Sequence, residues 1–207
     1  MPGELLKAGK ERTLGLRFKR TKDRLQGVGL LPVGAPAAVT RLEEINTLGF
    51  THYVYLGLCG GLSADLALGD ILMVERAFSD EGTSKHYLEM EQPFTEPDRE
   101  LTRKLRDRLE GAGLGYHYAP CWTTDAPYRE TSSRVKFFKG LGANGVEMET
   151  SALFAVGHFR SIAVSALHFV SDLLTNEWKP AFNSRRMKTQ MEEVAGAIAG
   201  LCYDDCL

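Results

Sequence analysis

Two carboxylates flank a methionine in Val146-Glu147-Met148-Glu149-Thr150-Ser151, where a short strand gives way to a helix. Two chemistries fit that arrangement. One glutamate can cap the helix, because the N-terminal end of a helix favours an anion. Alternatively, a carboxylate accepts two hydrogen bonds from the cis-diol of a sugar while the methionine packs against the ring. A second group is Val170-Ser171-Asp172, at the end of the most apolar run in the chain. In α/β sheets the carboxyl ends of strands carry ligands. An aspartate there, beside apolar neighbours, can keep its proton to higher pH and act as a general acid. An N-cap or turn aspartate leading into Leu173 fits the same position. In Gly57-Leu58-Cys59-Gly60-Gly61-Leu62, glycines allow close approach of backbone to a ligand. The spacing is neither a Walker motif nor a dinucleotide fingerprint, so a plain glycine-rich turn is the competing reading. Thr123 to Thr131 packs aromatic, charged and hydroxyl groups into one loop after a strand, where recognition residues concentrate. Asp80 to Tyr87 has the same character.

The elements that must position these groups alternate in type. Leu14 to Lys19 alternates apolar and polar residues and reads as a strand. Gly27 to Val33 reads as a buried strand ending at Gly34, and Pro36 suits the first turn of a helix carried by Ala38, Val39, Leu42, Ile45 and Leu48. Strands are expected at Thr51–Leu58, Ile71–Val74, Tyr116–Trp122, Gly145–Met148 and Ser161–Val170, the last of them central. Gly60 and Gly61 punctuate a turn. Helices are expected at Pro97–Leu109, Ser132–Lys139, Glu149–Gly157 and Phe182–Cys202, with residues 1–13 an irregular arm. Strands alternating with helices predict one α/β domain over residues 1–207, with a largely parallel or mixed sheet.

Composition narrows the function classes. The chain has 207 residues, 25 basic against 27 acidic, for a net charge of −2. That balance gives no broad basic surface and no expectation of nucleic acid as a partner. The apolar share of 43% is ordinary for a globular domain of this length, which needs no staples. Four cysteines are too few for a disulfide scaffold, and Cys202 and Cys206 lack the further ligands of a zinc site. They read as two thiols on one helix face. No apolar run approaches the roughly 20 residues of a membrane span, and the N-terminus lacks a signal-peptide core. A cytoplasmic protein without metal or organic cofactor is the expectation.

Taken in order, GAPAAVTRLEEINTLG (34–49), GLCGGLSADLALGDI (57–71), DEGTSKHYL (80–88), TTDAPYRET (123–131), GVEMETSALFAV (145–156) and FVSD (169–172) resemble the purine nucleoside and uridine phosphorylase family. The likeness spans roughly residues 26–200, and VEMETSALF is its most specific piece. It implies a single α/β domain whose mixed, twisted sheet is flanked by helices and curls towards a barrel. It implies cleavage of the N-glycosidic bond of a nucleoside through an oxocarbenium-like state, with phosphate as co-substrate. Glu149 would then bind the ribose hydroxyls, Met148 would line the sugar and Glu147 would lie close by. Asp172 would protonate a purine base; uridine-specific members generally lack that acid, which favours purines. Residues 125–129, with Tyr128 and Arg129, would line the base pocket beside Gly60. A homo-oligomer is implied, since relatives form dimers or trimers of dimers.

The nucleophile half departs from that pattern. Phosphorolytic relatives carry an arginine two residues before the first glycine of the turn and a serine or threonine just after it; here those positions are Tyr55 and Leu58. Tyrosine does not replace a charged, forked donor, and leucine donates nothing. No Gly-Asp-Pro-like strand precedes residue 26, nor the N-terminal glutamate of hydrolytic relatives. Pro127 stands where many relatives stack an aromatic on the base. Arg17, Lys19 or Arg20 of a neighbouring subunit is the remaining source of a cation. The sequence therefore predicts a nucleoside phosphorylase, with a hydrolytic nucleosidase and a non-catalytic nucleoside-binding remnant as alternatives.

Overall fold

The computed structural model describes residues 11–13, 16–20, 25–89, 91–174, 178–180, 184–199 and 201. Strands β1 (Glu11–Thr13), β2 (Leu16–Arg20) and β3 (Leu25–Gly29) form a small antiparallel sheet. There follow α1 (Ala35–Asn46), β4 (His52–Gly61), β5 (Ile71–Asp80), β6 (Phe94–Thr95), α2 (Arg99–Gly111) and β7 (His117–Thr124). Next come α3 (Ser132–Gly140), β8 (Gly145–Glu147), α4 (Thr150–Arg160), β9 (Ala163–Leu174), β10 (Trp178–Pro180) and α5 (Arg185–Ala199).

The main sheet runs β10-β9-β4-β8-β7-β5-β6, and β9 also pairs with β5. Strands β9, β4, β8, β7 and β5 thereby close on themselves. Within that ring β4 is parallel to β9, and β7 is parallel to both β8 and β5. The β4–β8 and β5–β9 pairs are antiparallel. The result is a mixed α/β fold with a curled sheet flanked by helices, as the sequence implied.

Burial explains the layering. Helix α4 reads TSALFAVGHFR and is buried from Thr150 through Gly157, as a helix apolar on all sides requires. It lies between the barrel and α1: Ala38, Val39 and Leu42 share one cluster with Leu153, Phe154, Val74, Val164 and Val170. On the other side α2 and α5 place Leu105, Leu109, Met187 and Val194 against Ile71, Met73, Leu167 and Phe169. The small sheet docks through Leu16 and Phe18 onto Ile45 and Phe50.

Several expected boundaries move. Residues 11–13, expected as part of an irregular arm, pair as a strand with Leu16–Phe18. The strand expected at Gly27–Val33 runs instead over Leu25–Gly29, and Leu30 and Val33 beyond it stand in solvent. It is not a buried strand because it belongs to the small outer sheet. Gly60 and Gly61 are not a turn: β4 continues through them and pairs with Val146 and Gly145. Strand β5 runs on to Asp80, its polar end paired with Thr123 and Thr124. Pro97 precedes the helix; Asp98 caps it, accepting from the Leu101 N–H at 2.7 Å. Helix α4 extends to Arg160 and stops at Ser161, whose φ of 53° is left-handed. Strand β9 continues past Val170 to Leu174, and with neighbours on both sides it is central. Cys202, Cys206 and the ends of the last expected helix lie outside the described residues.

Candidate active site

The carboxyl ends of the parallel pair β4 and β9 meet at a break in register. Cys59 pairs with Val170, but Gly60 pairs with Asp172, leaving Ser171 as an extra residue on β9. Such a bulge re-aims the following side chain. Asp172 accordingly lines a cleft, with the Ser171 hydroxyl 2.7 Å from its Oδ1. The same hydroxyl is 3.2 Å from the Cys59 carbonyl, which ties the bulge to β4. Gly60 makes this approach feasible: a Cβ there would sit 2.4 Å from Leu174 Cδ1 and 3.2 Å from Val146 Cγ1.

The two glutamates of the Glu-Met-Glu segment have different surroundings. Glu147 is the helix cap. Its Oε2 accepts from the backbone N–H groups of Glu149 and Thr150, each at 2.8 Å, and its Oε1 from the Thr123 hydroxyl. Glu149 stands at the N-cap position but makes no cap hydrogen bond. Its carboxylate instead accepts from the Tyr55 hydroxyl at 3.0 Å and from the Gly34 N–H. Gly34 reaches it from the turn before α1 with φ of 94°, a conformation that favours glycine.

Glu147, Met148, Glu149, Gly60, Asp172, Pro127 and Tyr128 all line one cleft. Its volume is about 2220 Å³, beyond the ~300–1,000 Å³ of a typical small-molecule site, because it continues along Val28–Val33 and β4. Tyr128 is fully exposed at its mouth. Arg129, expected in the base pocket, is exposed and is not among the lining residues. Asp125 faces elsewhere and accepts from the Gly82 N–H. Glu81, in the second polar segment, is a buried brace held by Ser79, Thr83, Ser84 and Ser151.

Electrostatics follow burial. Burial pushes Glu147 and Glu149 above the ordinary carboxylate range, and each feels the site's hydrogen bonds in the opposite direction. For Glu149 the charge of Glu147 adds to the rise. Burial and then Glu149 push the Tyr55 phenol far up, so it stays a neutral donor. Burial likewise pushes the Cys59 and Cys121 thiols up, which makes them poor nucleophiles. His168 lies under Tyr55, ring centroids 5.6 Å apart, and burial pushes it down to about 4. Its Nε2 is 2.8 Å from the Thr150 hydroxyl, while its buried Nδ1 has no partner among the described residues. Cys121, Glu147 and His168 bring donor atoms within 4.8 Å of one another. Glu147 is committed to its cap and His168 Nε2 to Thr150, so the trio reads as a hydrogen-bonded core rather than a metal centre.

Sequence reasoning missed three participants. Glu130 lines the cleft, and burial with the Asp172 charge raises its carboxyl to about 7. Gly34 supplies a backbone donor to Glu149, and His168 supports Tyr55. Only Glu130 lay in a segment already marked for recognition.

A profile of the phosphorylase superfamily matches residues 24–202. Guanosine phosphorylase of Halorubrum lacusprofundi is 30% identical over 135 residues, covering 65% of this chain and 56% of the relative. A DeoD-type purine nucleoside phosphorylase of Clostridium novyi is 25% identical over 184 residues, covering 88% of this chain and 78% of that one. The chain spans about half the length of several curated relatives it matches. Among solved structures, an AMP nucleosidase from Bacteroides thetaiotaomicron aligns with a TM-score of 0.69 at 26% identity, over 83% of this chain and 69% of that one. Purine nucleoside phosphorylase from Toxoplasma gondii shares the fold, with a TM-score of 0.80 at 16% identity over 97% and 86% of the two chains. No helix among the described residues is long and apolar enough to cross a membrane. With a profile match over most of its length and a barrel whose strand ends carry the matching segments, this chain belongs to the nucleoside phosphorylase family.

Proposed function

We propose that this protein cleaves the N-glycosidic bond of a nucleoside, with purine nucleosides favoured. The observation that carries the reading is one cleft lined both by Asp172 and by the Met148–Glu149 pair. Glu149 binds the ribose diol: a carboxylate offers about four lone-pair sites, and Tyr55 and Gly34 take two. Met148 packs on the sugar and Glu147 holds the turn. As positive charge grows at C1′, the anion of Glu149 stabilises it, and Asp172 donates a proton to the base that carries the bond's electrons away. Pro127 and Tyr128 border the base. Phosphate is the co-substrate in this reading, no organic cofactor takes part, and the working unit is a homo-oligomer in the cytoplasm.

A second reading, hydrolysis, is favoured by Tyr55 and Leu58. The Tyr55 hydroxyl is occupied by Glu149, and Leu58 presents a half-exposed apolar side chain. Neither supplies the charge a phosphate dianion needs. The likeness to an AMP nucleosidase points the same way. Assay of a nucleoside panel with and without phosphate tests both. Ribose 1-phosphate as product supports phosphorolysis; free ribose at a phosphate-independent rate supports hydrolysis. No free base from any nucleoside would sink both.

A further inference from the structure

Thr150, His168 and Tyr55 come from α4, β9 and β4 and form one chain of contacts that ends on Glu149. Thr150 opens α4 and is fixed there, its N–H donating to Glu147 at 2.8 Å. Its buried hydroxyl is 2.8 Å from Nε2 of His168, which is itself fully buried. The imidazole so anchored meets the Tyr55 ring edge-on, with centroids 5.6 Å apart and planes at 78°. Tyr55 in turn donates to Glu149 at 3.0 Å. The meeting of the two rings depends on Gly57, the register partner of His168 on β4. Gly57 lies two residues past Tyr55 and so shares its face of the strand. A Cβ at Gly57 would sit 2.7 Å from His168 Nδ1 and 2.9 Å from both Cζ and the hydroxyl oxygen of Tyr55. A side chain there would drive the rings apart. Gly57 has no positive φ, so the glycine answers to space and not to conformation. His168 Nδ1, against that bare backbone, has no hydrogen-bond partner among the described residues. An unpaired buried nitrogen costs stability that an apolar side chain would not. Packing alone therefore does not account for a histidine at this position.

We propose that His168 and Gly57 are positioning residues for the sugar end of the cleft. Thr150 anchors the His168 ring, the ring sets the Tyr55 phenol, and the phenol aims the Glu149 carboxylate at the ribose hydroxyls. Gly57 leaves the space in which ring and phenol meet. The inference rests on the reading of Glu149 as the group that binds the ribose diol. Both residues act through Tyr55, so what they govern is the preference for a ribonucleoside over its 2′-deoxy counterpart. A carboxylate held at one angle accepts from two neighbouring hydroxyls at once, whereas a loosened one serves a single hydroxyl nearly as well.

The test places Gly57→Ala and His168→Leu each in wild type and in Tyr55→Phe. His168→Leu, apolar in apolar surroundings, keeps the test open if Gly57→Ala does not fold. The first measurement needs no activity: protein labelled with carbon-13 at the Glu carboxyls is titrated by NMR and the Glu149 midpoint is followed. The titratable groups acting on Glu149 are Glu147, Tyr55 and His168, a set that Gly57→Ala leaves unchanged. Each variant should raise the midpoint, because it loosens a hydrogen bond that favours the carboxylate. In the Tyr55→Phe background neither should raise it further. The second measurement is kcat/KM for inosine and for 2′-deoxyinosine. Each variant should lower inosine cleavage by about 5- to 12-fold, the worth of one neutral hydrogen bond, and 2′-deoxyinosine cleavage less. A midpoint that does not move, or that moves equally without the Tyr55 hydroxyl, would overturn the positioning, whether or not the protein cleaves nucleosides. A midpoint coupled through Tyr55 with both nucleosides slowed alike would overturn the reading of Glu149 as the diol's partner and, with it, the preference assigned to His168 and Gly57.

Discussion

The two ends of the cleft solve opposite electrostatic problems. At the Asp172 end, Glu130 and Asp172 both line the cleft, and Gly60 leaves room for the bulge that aims Asp172. At the Tyr55 end, the Glu149 carboxylate is held by neutral donors, with His168 uncharged beneath Tyr55. At the first end burial and then the Asp172 charge raise the Glu130 carboxyl to about 7. At the second, the partners of the Glu149 carboxylate among the described residues are neutral donors. An arginine at position 55 would present charge to an anion; the tyrosine lowers Glu149 only through its uncharged donor, and Glu149 stays raised by burial and by Glu147. The Asp172 end therefore gathers acidic side chains, while the Tyr55 end is a hydrogen-bonded wall around Glu149.

The largest effect should come at the first end. Asp172→Asn keeps the shape and removes the proton, and is expected to cost about 10²–10⁴-fold with purine nucleosides. Nucleosides whose leaving group needs no proton should be nearly spared. Equal losses on both kinds of substrate, measured as kcat/KM, would make Asp172 structural and erase the contrast between the ends.

The second end should announce itself in stability. His168 is buried neutral, its folded value about 4 against an ordinary 6.5. The folded state binds that proton more weakly than the unfolded chain, so stability falls as pH drops from about 6.5 through about 4, by roughly 3 kcal/mol. Glu149 is raised, so it acts in the opposite sense and weakens the fold as pH rises above the ordinary glutamate range. Urea denaturation of wild type and His168→Gln across that window separates the two. The variant should lose the acid-side decline, and parallel curves would mean that His168 is not a determinant of acid stability.

The fold was legible in the sequence where pattern and burial agree. The run Ser161–Val170 gave a central strand, and the stretch from Pro36 gave α1 nearly to its ends. Legibility failed where glycines and polar residues serve tertiary geometry. Gly60 and Gly61 look like a turn, yet they are strand residues whose missing side chains admit Leu174 and Leu173. Asp80 looks like loop, yet it ends β5 and accepts from the Trp122 indole N–H at 2.9 Å. In the site, the Glu-Met-Glu segment was identified, but the division between capping Glu147 and cleft-facing Glu149 is set by Thr123 and Tyr55, which lie far away in sequence. Arg129 carried a motif's promise that its exposed side chain does not keep. Glu130 was invisible as a cleft residue because its raised carboxyl comes from burial and then from Asp172, forty-two positions on, and only folding supplies both.

A smaller effect is expected from Glu149→Gln, which keeps the size of the side chain and removes its charge. A charge-assisted hydrogen bond contributes roughly 1.5–3 kcal/mol, or about 10- to 150-fold in rate. The loss should appear in kcat/KM for ribonucleosides and shrink for substrates lacking a ribose hydroxyl. An unchanged rate in a folded variant would remove Glu149 from the sugar site and leave the second end purely structural.

The smallest effect decides what the second end is for. Tyr55→Phe removes one neutral hydrogen bond to Glu149 and leaves the ring against His168. A hydrogen bond of that kind is worth about 1–1.5 kcal/mol, so a loss of roughly 5- to 12-fold is expected. It should fall on the nucleoside, because Tyr55 acts through Glu149, the carboxylate proposed to bind the sugar. With one donor gone, Glu149 should also titrate higher, since that bond favours its charged form. The response to added phosphate should not change, for the hydroxyl already has its acceptor and offers no second proton. If Tyr55→Phe instead raised the phosphate requirement while sparing the nucleoside KM, the hydroxyl would belong to the nucleophile. The wall at that end would then be a phosphate site in which tyrosine does an arginine's task.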